Sequence, residues 1–595
     1  MKERASVSTP QITVLDTGGQ YCHLIARKVR ELGVYAEVRP SETPARELTG
    51  RKGLIISGGP SSVYDPGSPT VDPAIFESGS AVLGICYGLQ LMAHLLGGTV
   101  QKGDKGEFGL ATLDVGPASE DRLFEGLPSR QQIWMSHRDT VVGLPGGFSV
   151  TGATGSCAVA AMAEIKRKLY GVQFHPEVIH TKQGTEILAN FLFGICCCER
   201  DWDPKHRIPA IEEDIRRVVG NRNVFFFVSG GVDSTVAYTI CLAALGSERV
   251  RGVYVDTGLM REGETDFVRS TFDSLGAGTV DIEHAQDRFL GALNGVRDPE
   301  EKRHIIGEQF LQVQERIIEA RGLLDGHWIL GQGTIYPDTI ESGGTERADK
   351  IKTHHNRVAG VQKLLQEGRV VEPLHSFYKD EVRQIGVELG LPAELLERHP
   401  FPGPGLAIRC LCAEKEAAPV QIADGYVIPI RSVGVQGDSR SYAPVLAIDH
   451  ASSLASLHEK ATELTNRING INRVVSYVKG KIALPDLRVQ PSTLSQERLD
   501  RLRRADAIVR RLSEESGFED AVWQFPVVLI PLGSGDHPDS VVLRPVESVD
   551  GMTAQSAAMP DSLLQTMSNE LLAQPGLCCV FYDLTHKPPG TIEWE

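Results

Sequence analysis

"AVLGICYGLQLMAHLLGG", residues 81–98, passes from an apolar strand pattern through a glycine-flanked cysteine into a helical pattern. A side chain on a strand-to-helix turn is lifted clear of the sheet, glycines permit the strained backbone, and the helix N-terminus favours a thiolate. The stretch therefore predicts an α/β sheet with a nucleophile, Cys86, at a strand end. Its surroundings agree. "ITVLD" from Ile12 reads as a strand, Ile25, Val29 and Leu32 fall at helical spacing before Gly33, and "GLIISGG" and "YGVQFHPE" are strands running into turns. His175 in the last of these offers a base, and Glu177, two residues on, shares its face of an extended segment and can orient the imidazole. Alone, each residue reads equally as a buried cysteine or a core histidine; together they read as nucleophile, base and orienting acid.

At 595 residues the chain exceeds one core and predicts about three to five domains. With 41% hydrophobic and 23% charged residues it has a globular composition. No apolar run approaches the roughly 20 residues that cross a bilayer, and "MKERASVSTP" lacks the apolar stretch of a secretory signal, so the expected place is the cytosol, with no membrane. A net charge of −16 argues against non-specific nucleic-acid binding. The 11 cysteines show neither a disulfide framework nor a paired C-x-x-C metal signature, and Cys196, Cys197 and Cys198 are expected to be ordinary thiols.

After the connector "ERDWDPKHRIP" a second α/β pattern follows, with strands "NVFFFV", "RVRGVYVD", "GTVDI" and "HWILGQG". In "FFFVSGGVDSTVAY", Ser229, Gly230, Gly231, Val232, Asp233 and Ser234 stand between strand and helix. There small residues let amides and hydroxyls close around phosphate oxygens. The Walker lysine is absent. Asp256 and Gly258, and Gly331, Gln332 and Gly333, sit at later strand ends, where α/β sheets take their ligands. The remaining region mixes β-rich runs with helical patterns and reads as α+β. Within it, "VIPIRSVGVQGDSRSYAPVLAI" and "PVVLIPLGSGDHPDSVVLRPV" share the order strand, Gly-Asp turn, strand, which suggests a duplicated subdomain.

On "SGGP", "GICYG" and "GVQFHPE", residues 12–193 resemble class I glutamine amidotransferase domains. The resemblance implies that Cys86 attacks the amide of glutamine, with His175 and Glu177 completing a triad, and that a glutamyl thioester forms as ammonia leaves. It also implies an oxyanion hole from the backbone amides of Gly59 and Tyr87, and glutamine contacts from Gln90, Ser136 and His137. "SGGVDS" resembles the loop of ATP pyrophosphatases, which implies an adenine-nucleotide α-hydrolase-like (PP-loop) domain that adenylates a substrate oxygen. ATP would meet Ser229 to Ser234, Asp256, Gly258, Gly331 and Lys379, with Lys352 in a polar stretch that could act as a lid. Mg2+ is expected beside the leaving pyrophosphate, and Asp233 is the candidate metal ligand, with helix capping as its alternative role.

"DTIESGG", "KTHHN", "HPFPGPGLAIR" and "HKPPGTIEWE", in this order, resemble the glutamine-hydrolysing GMP synthetase family. That likeness implies a ligase taking xanthosine monophosphate (XMP), ATP and glutamine. It implies XMP contacts at Pro402, Gly403, Pro404, Gly405, Arg440, Gln524, Lys587, Ile592 and Glu593; a rigid turn and a frayed tail are the plain alternatives. The expected domains are 11–199, a class I glutamine amidotransferase; 208–409, an ATP pyrophosphatase; and 410–595, a dimerisation-type domain with an XMP-binding tail. Because the "GDSRSY" and "VESVDGMTA" halves lie about 100 residues apart, far beyond a usual loop, the chain resembles the long form with two subdomain copies. That favours a monomer over a homodimer.

Overall fold

The computed structural model describes residues 9–19, 21–116, 121–275, 280–341, 359–436, 439–468, 470–548, 554–587 and 589–595. Lys352 and the "KTHHN" stretch fall outside them. The chain divides into two compact units. One comprises Met1–Ala210 with Ile335–Asp349 and His375–Glu381; the other comprises Ile211–Thr334, Lys350–Leu374 and Val382–Glu595.

In the first unit β1 (Ile12–Asp16), β2 (Ala36–Pro40), β3 (Gly53–Ile56), β4 (Ala81–Ile85), β5 (Thr99–Val115), β6 (Arg130–Gly143), β7 (Ser149–Ala153), β8 (Ala161–Glu164) and β9 (Leu169–Val172) form one sheet, ordered β2-β1-β3-β4-β9-β8-β7-β5-β6. β2, β1, β3, β4 and β9 run parallel, and the remaining pairings are antiparallel. Continuous apolar runs such as "AVLGI" suit parallel strands buried on both faces. The pairing Ile85↔Val172 sets the carboxyl ends of β4 and β9 side by side.

Two short segments from later in the chain join this unit for a physical reason. Arg30 is buried and ion-paired with Glu381 at 3.1 Å, and donates to Ser376 O at 2.7 Å. Its guanidinium lies 4.7 Å from the ring centroids of both Trp202 and Tyr336 and 5.0 Å from that of Tyr378. Planar stacking together with an ion pair compensates a buried guanidinium that neither would satisfy alone.

The second unit contains an all-parallel sheet of β10 (Asn223–Val228), β11 (Val250–Asp256), β12 (Val280–His284), β13 (Trp328–Gly331) and β14 (Val370–Val371), ordered β12-β11-β10-β13-β14. The order reverses between β10 and β13, and the loops that follow these two strands flank the crevice such a reversal opens.

The same unit carries a seven-stranded sheet. β15 (Val420–Ile422), β16 (Gly425–Gln436), β17 (Ser439–Asp449) and β18 (Arg473–Gly480) come first, followed by the small pairing of β19 (Arg488–Val489) with β21 (Leu532–Gly533). β20 (Val527–Ile530), β22 (Asp539–Leu543) and β25 (Leu577–Asp583) complete the large sheet, while β23 (Val546–Glu547) pairs with β24 (Gln555–Ser556). The large sheet runs β15-β16-β17-β18-β25-β22-β20. β16 and β17 form an antiparallel hairpin, helix Leu454–Arg467 follows, and β18 returns parallel to β17. β20 and β22 repeat this with helix Asp561–Ala573 and β25, and β18 meets β25 antiparallel at the centre. Alternate residues of β17 face opposite cores: Leu446 and Ile448 on one side, Val445 and Ala447 on the other.

Candidate active site

Cys86 stands between β4 and helix Tyr87–Leu95 with φ of 52° and ψ of −105°, a conformation outside the ordinary wells of a non-glycine residue. Glycines make the bend feasible. A methyl on Gly84 would come within 2.5 Å of Gly88 O, and one on Gly88 would overlap the Ile56 carbonyl. The Cys86 N–H donates to Val172 O at 2.8 Å, so β9 holds the turn from the side. Three residues beyond β9 comes His175, whose N–H donates to Trp134 O and whose carbonyl accepts Thr181 Oγ1 at 2.6 Å.

His175 Nδ1 lies 2.6 Å from Glu177 Oε1, and both side chains are buried. Burial works to lower the His175 pKa, but the charge of Glu177 and the hydrogen-bonded Cys86 thiol outweigh it and hold the pKa well above the usual histidine value. The arrangement can stabilise an imidazolium beside a thiolate and deliver its proton to a leaving amine. Cys86 Sγ also lies 3.6 Å from Ser136 O, and Gln173 Nε2 donates toward it at 3.7 Å.

The other residues expected around glutamine divide. Tyr87 opens its helix, where the first N–H groups have no intrahelical acceptor, and Gly59 follows Gly58, which faces His175 and Cys86. Gln90 donates to Asp139 O at 2.7 Å and to Gln173 Oε1 at 3.2 Å. His137 places Nδ1 2.9 Å from Asp139 O and Nε2 3.2 Å from Glu107 Oε2. Gln90 and His137 are thus tied into the wall of the centre. Asp139 and Glu107 escaped sequence reasoning because no motif marks an isolated Asp or Glu on a strand, and Gln173, though inside "GVQFHPE", was passed over for the titratable His175 and Glu177 beside it. Glu107, His137 and Cys157 bring ligand-type atoms within 4.8 Å of one another, but the imidazole and carboxylate already satisfy each other and neighbouring groups, which accounts for the cluster without a metal. All 11 cysteines are free thiols; Cys196 and Cys198 are buried and Cys197 is exposed.

In the second unit the phosphate-type loop is held by its own hydroxyls. Ser229 Oγ and Ser234 Oγ lie 3.0 Å apart, Gly231 N–H donates to Ser229 Oγ at 3.2 Å, and Ser234 Oγ donates to Gly231 O at 3.1 Å. Gly230 takes φ of 74°, and helix Val232–Leu245, with Asp233 in its first turn, starts directly after Gly231. After β13, a Cβ on Gly333 would sit 2.9 Å from the Ser234 backbone nitrogen, so only glycine lets that strand end close on the loop. Gly331 is the last residue of β13. The Asp256 carboxylate accepts from Gly258 N–H at 3.0 Å, Thr265 Oγ1 at 3.0 Å and Gln286 Nε2 at 2.8 Å. It shapes its turn rather than projecting free. Lys379 opens helix Lys379–Glu388 and belongs to the first compact unit.

Three stretches expected at XMP meet within the second unit. Pro402 to Gly405 form a turn with Gly405 N–H donating to Pro402 O at 2.9 Å and Gly405 at φ of 64°, packed so closely on Leu259 O that a Cβ would overlap it. Gln524 Nε2 donates to Pro400 O at 3.2 Å. Glu593 forks Arg409, four residues past the turn, at 3.0 and 2.7 Å. Ile592 O accepts Arg544 Nε at 3.1 Å, and the Lys587 N–H donates to Ala554 O at 2.7 Å. Arg440 lies on β17, but its side chain is outside the described part. The 591–595 stretch is not frayed. Arg473 donates to Thr591 O at 2.8 Å and Glu593 O at 2.7 Å, and Trp594 Nε1 donates to Asp583 at 2.8 Å.

The sheet, the cysteine elbow and the matched family models define a class I glutamine amidotransferase domain, followed in the chain by a parallel α/β sheet of the kind that binds nucleotides. The model "Glutamine amidotransferase class-I" matches residues 13–195, and "GMP synthase C terminal domain" matches residues 512–594. A probable glutamine-hydrolysing GMP synthase of Leptospira interrogans is 42% identical over 605 residues, spanning 98% of this chain and 99% of its own. The glutamine-hydrolysing GMP synthase of Thermobifida fusca is 40% identical and spans 98% of each. A solved structure of a putative GMP synthase component from Thermoplasma acidophilum is 34% identical, covering 31% of this chain and 93% of that one, with a TM-score of 0.28. The chain belongs to the family of glutamine-hydrolysing GMP synthases (EC 6.3.5.2), carbon–nitrogen ligases of purine biosynthesis.

Proposed function

We propose that the chain makes GMP from XMP, ATP and glutamine, or free ammonia, with AMP, pyrophosphate and glutamate as the other products. Cys86 Sγ attacks the glutamine amide carbon, and the His175 imidazolium protonates the departing amine, so that ammonia leaves and a glutamyl thioester remains. Water, deprotonated by His175, then hydrolyses the thioester to glutamate. Glu177 holds the imidazole in place throughout, and the N–H groups of Gly59 and Tyr87 receive the oxyanion. The proposed domains are 11–199, the glutaminase; 208–409, the ATP pyrophosphatase; and 410–595, the dimerisation-type domain with the XMP-binding tail.

In the synthetase step the xanthine 2-oxygen attacks the α-phosphorus of ATP and pyrophosphate leaves. Ammonia then adds at C2, and AMP departs with the oxygen. The loop Ser229–Ser234, with Asp256, Gly258 and Gly331, serves ATP; Pro402–Gly405, Arg440, Gln524, Lys587, Ile592 and Glu593 serve XMP. Mg2+ keeps most of its water and takes one or two carboxylates plus substrate phosphates, and a single carboxylate, Asp233, in the first turn beside the loop fits that habit. When bound, the ion would neutralise charge on the leaving pyrophosphate.

The two hairpin–helix–strand units of the seven-stranded sheet support the reading of a duplicated subdomain. Val433 N–H, on β16 of the first, donates to Trp594 O at 2.9 Å, so the 591–595 stretch following the second copy lies on the first. This contact supports the reading that favours a monomer completing its own XMP site over a homodimer. Among the described residues no helix is long and apolar enough to cross a membrane; the proposed place is the cytosol, with no nucleic-acid partner.

The observation that carries the reading is the buried His175–Glu177 pair beside a strained Cys86, in a chain similar to glutamine-hydrolysing GMP synthases along nearly its whole length. Product stoichiometry tests it. One AMP and one glutamate per GMP are expected, and ADP in place of AMP would refute adenylation.

A further inference from the structure

Lys302, in helix Pro299–Ala320, is fully buried. Its Nζ donates to Glu595 Oε2 at 2.6 Å, Cys410 O at 3.0 Å and Ala407 O at 3.2 Å, so its three protons meet three acceptors. Arg303, the next residue, donates to Glu595 O. One ammonium thus ties three separate pieces of chain: the long helix, the 407–410 segment just after the Pro-Gly turn, and the residue two places beyond Glu593. Arg409, which forks Glu593, sits between the two carbonyls that Lys302 holds. The Arg409–Glu593 pair therefore bonds directly the two segments, 407–410 and 593–595, that Lys302 also ties together.

Stability alone gives little reason for this pair. Removing an ammonium and a carboxylate from water costs about as much as their attraction returns, and apolar side chains of similar size fill such a space at no loss. What an ion pair with three directed bonds supplies is registry. We propose that Lys302 is a positioning residue for XMP: by holding the Ala407 and Cys410 carbonyls and the Glu595 carboxylate at once, it fixes the spacing between the turn at Pro402–Gly405 and Ile592–Glu593, and thereby sets the affinity for XMP without touching it. The proposal rests on the reading that these two stretches hold XMP.

The full chain is assayed with ammonium as nitrogen donor and saturating Mg-ATP, with Lys302→Met and Glu595→Leu combined so that no charge is left buried alone. The expected result is a roughly tenfold rise in KM for XMP, with a smaller change in kcat and in KM for ATP, since uniform binding has been lost. The melting temperature should stay within a few degrees. An unchanged KM for XMP overturns the proposal. If the double variant does not fold, Glu595→Gln, which keeps an acceptor for Lys302, should raise KM for XMP about threefold, and no change there also overturns it. Glu593→Gln distinguishes the two levels. If it raises KM for XMP while the Lys302 variants do not, only the positioning role fails; if it leaves KM unchanged, the reading of the tail fails and the proposal with it.

Discussion

At the glutaminase centre one imidazole stands between a buried carboxylate 2.6 Å away and a thiol, all on the ends of two neighbouring parallel strands. Around Thr591–Glu595, cations converge from distant parts of the chain: Lys302 from a helix, Arg409 from beyond a turn, and Arg473 and Arg544 from the two halves of a sheet. The first centre is short-range and is fixed by the sheet itself; the second exists only once the whole unit has folded. A change in the first should therefore remove chemistry and leave the fold intact. A change in the second that leaves one charge buried without its partner should affect binding and stability together.

The strongest way to break that contrast is Cys86→Ala. Glutamine-driven GMP formation should fall by at least about a thousandfold, because covalent catalysis has no substitute, while ammonium-driven formation and the melting temperature remain near wild type. Retention of the glutamine-driven rate would show that Cys86 is not the nucleophile. Next in size is Arg409→Met, which leaves the Glu593 carboxylate without its fork. About 3 kcal/mol of stability should be lost, the low end for breaking a buried pair because Glu593 is partly exposed. Denaturant unfolding and KM for XMP should respond together; a rise in KM with no loss of stability would separate what the account joins.

Glu177→Gln sharpens the comparison from the other side. The glutaminase rate should fall about a hundredfold, in the range of a mispositioned general base. Since the Glu177 charge holds the His175 pKa up, its removal lets burial dominate, and the pH-rate limb belonging to His175 should move to lower pH. A limb that stays in place would mean that another group titrates. The smallest effect is expected from Gly333→Ala, whose methyl would sit 2.9 Å from the Ser234 nitrogen and push the phosphate loop. A severalfold rise in KM for ATP, on the scale of about 1 kcal/mol, is expected, with glutamine hydrolysis as the unaffected control.

Legibility followed the same division. Strands such as "ITVLD" and "NVFFFV" lie where their apolar runs place them, because both faces are buried and little else competes. Cys86, His175 and the Ser229–Ser234 loop could be picked out because each lies in a contiguous motif whose local backbone is the function. Arg409, Arg473, Arg544 and Lys302 could not, since a basic residue in sequence is ordinarily a solvated one and only long-range folding brings these four to one stretch. The Arg30 cluster was hidden likewise: Trp202, Tyr336, Tyr378 and Glu381 come from three stretches of sequence, all of them beyond the first domain pattern.

The most direct measurement follows the ultraviolet absorbance of XMP with the purified chain and Mg-ATP, first with ammonium and then with glutamine as the only nitrogen source. Conversion to GMP with both donors is the predicted result, ammonium reporting the synthetase and glutamine the relay from Cys86. No spectral change with either donor would contradict the account at its centre.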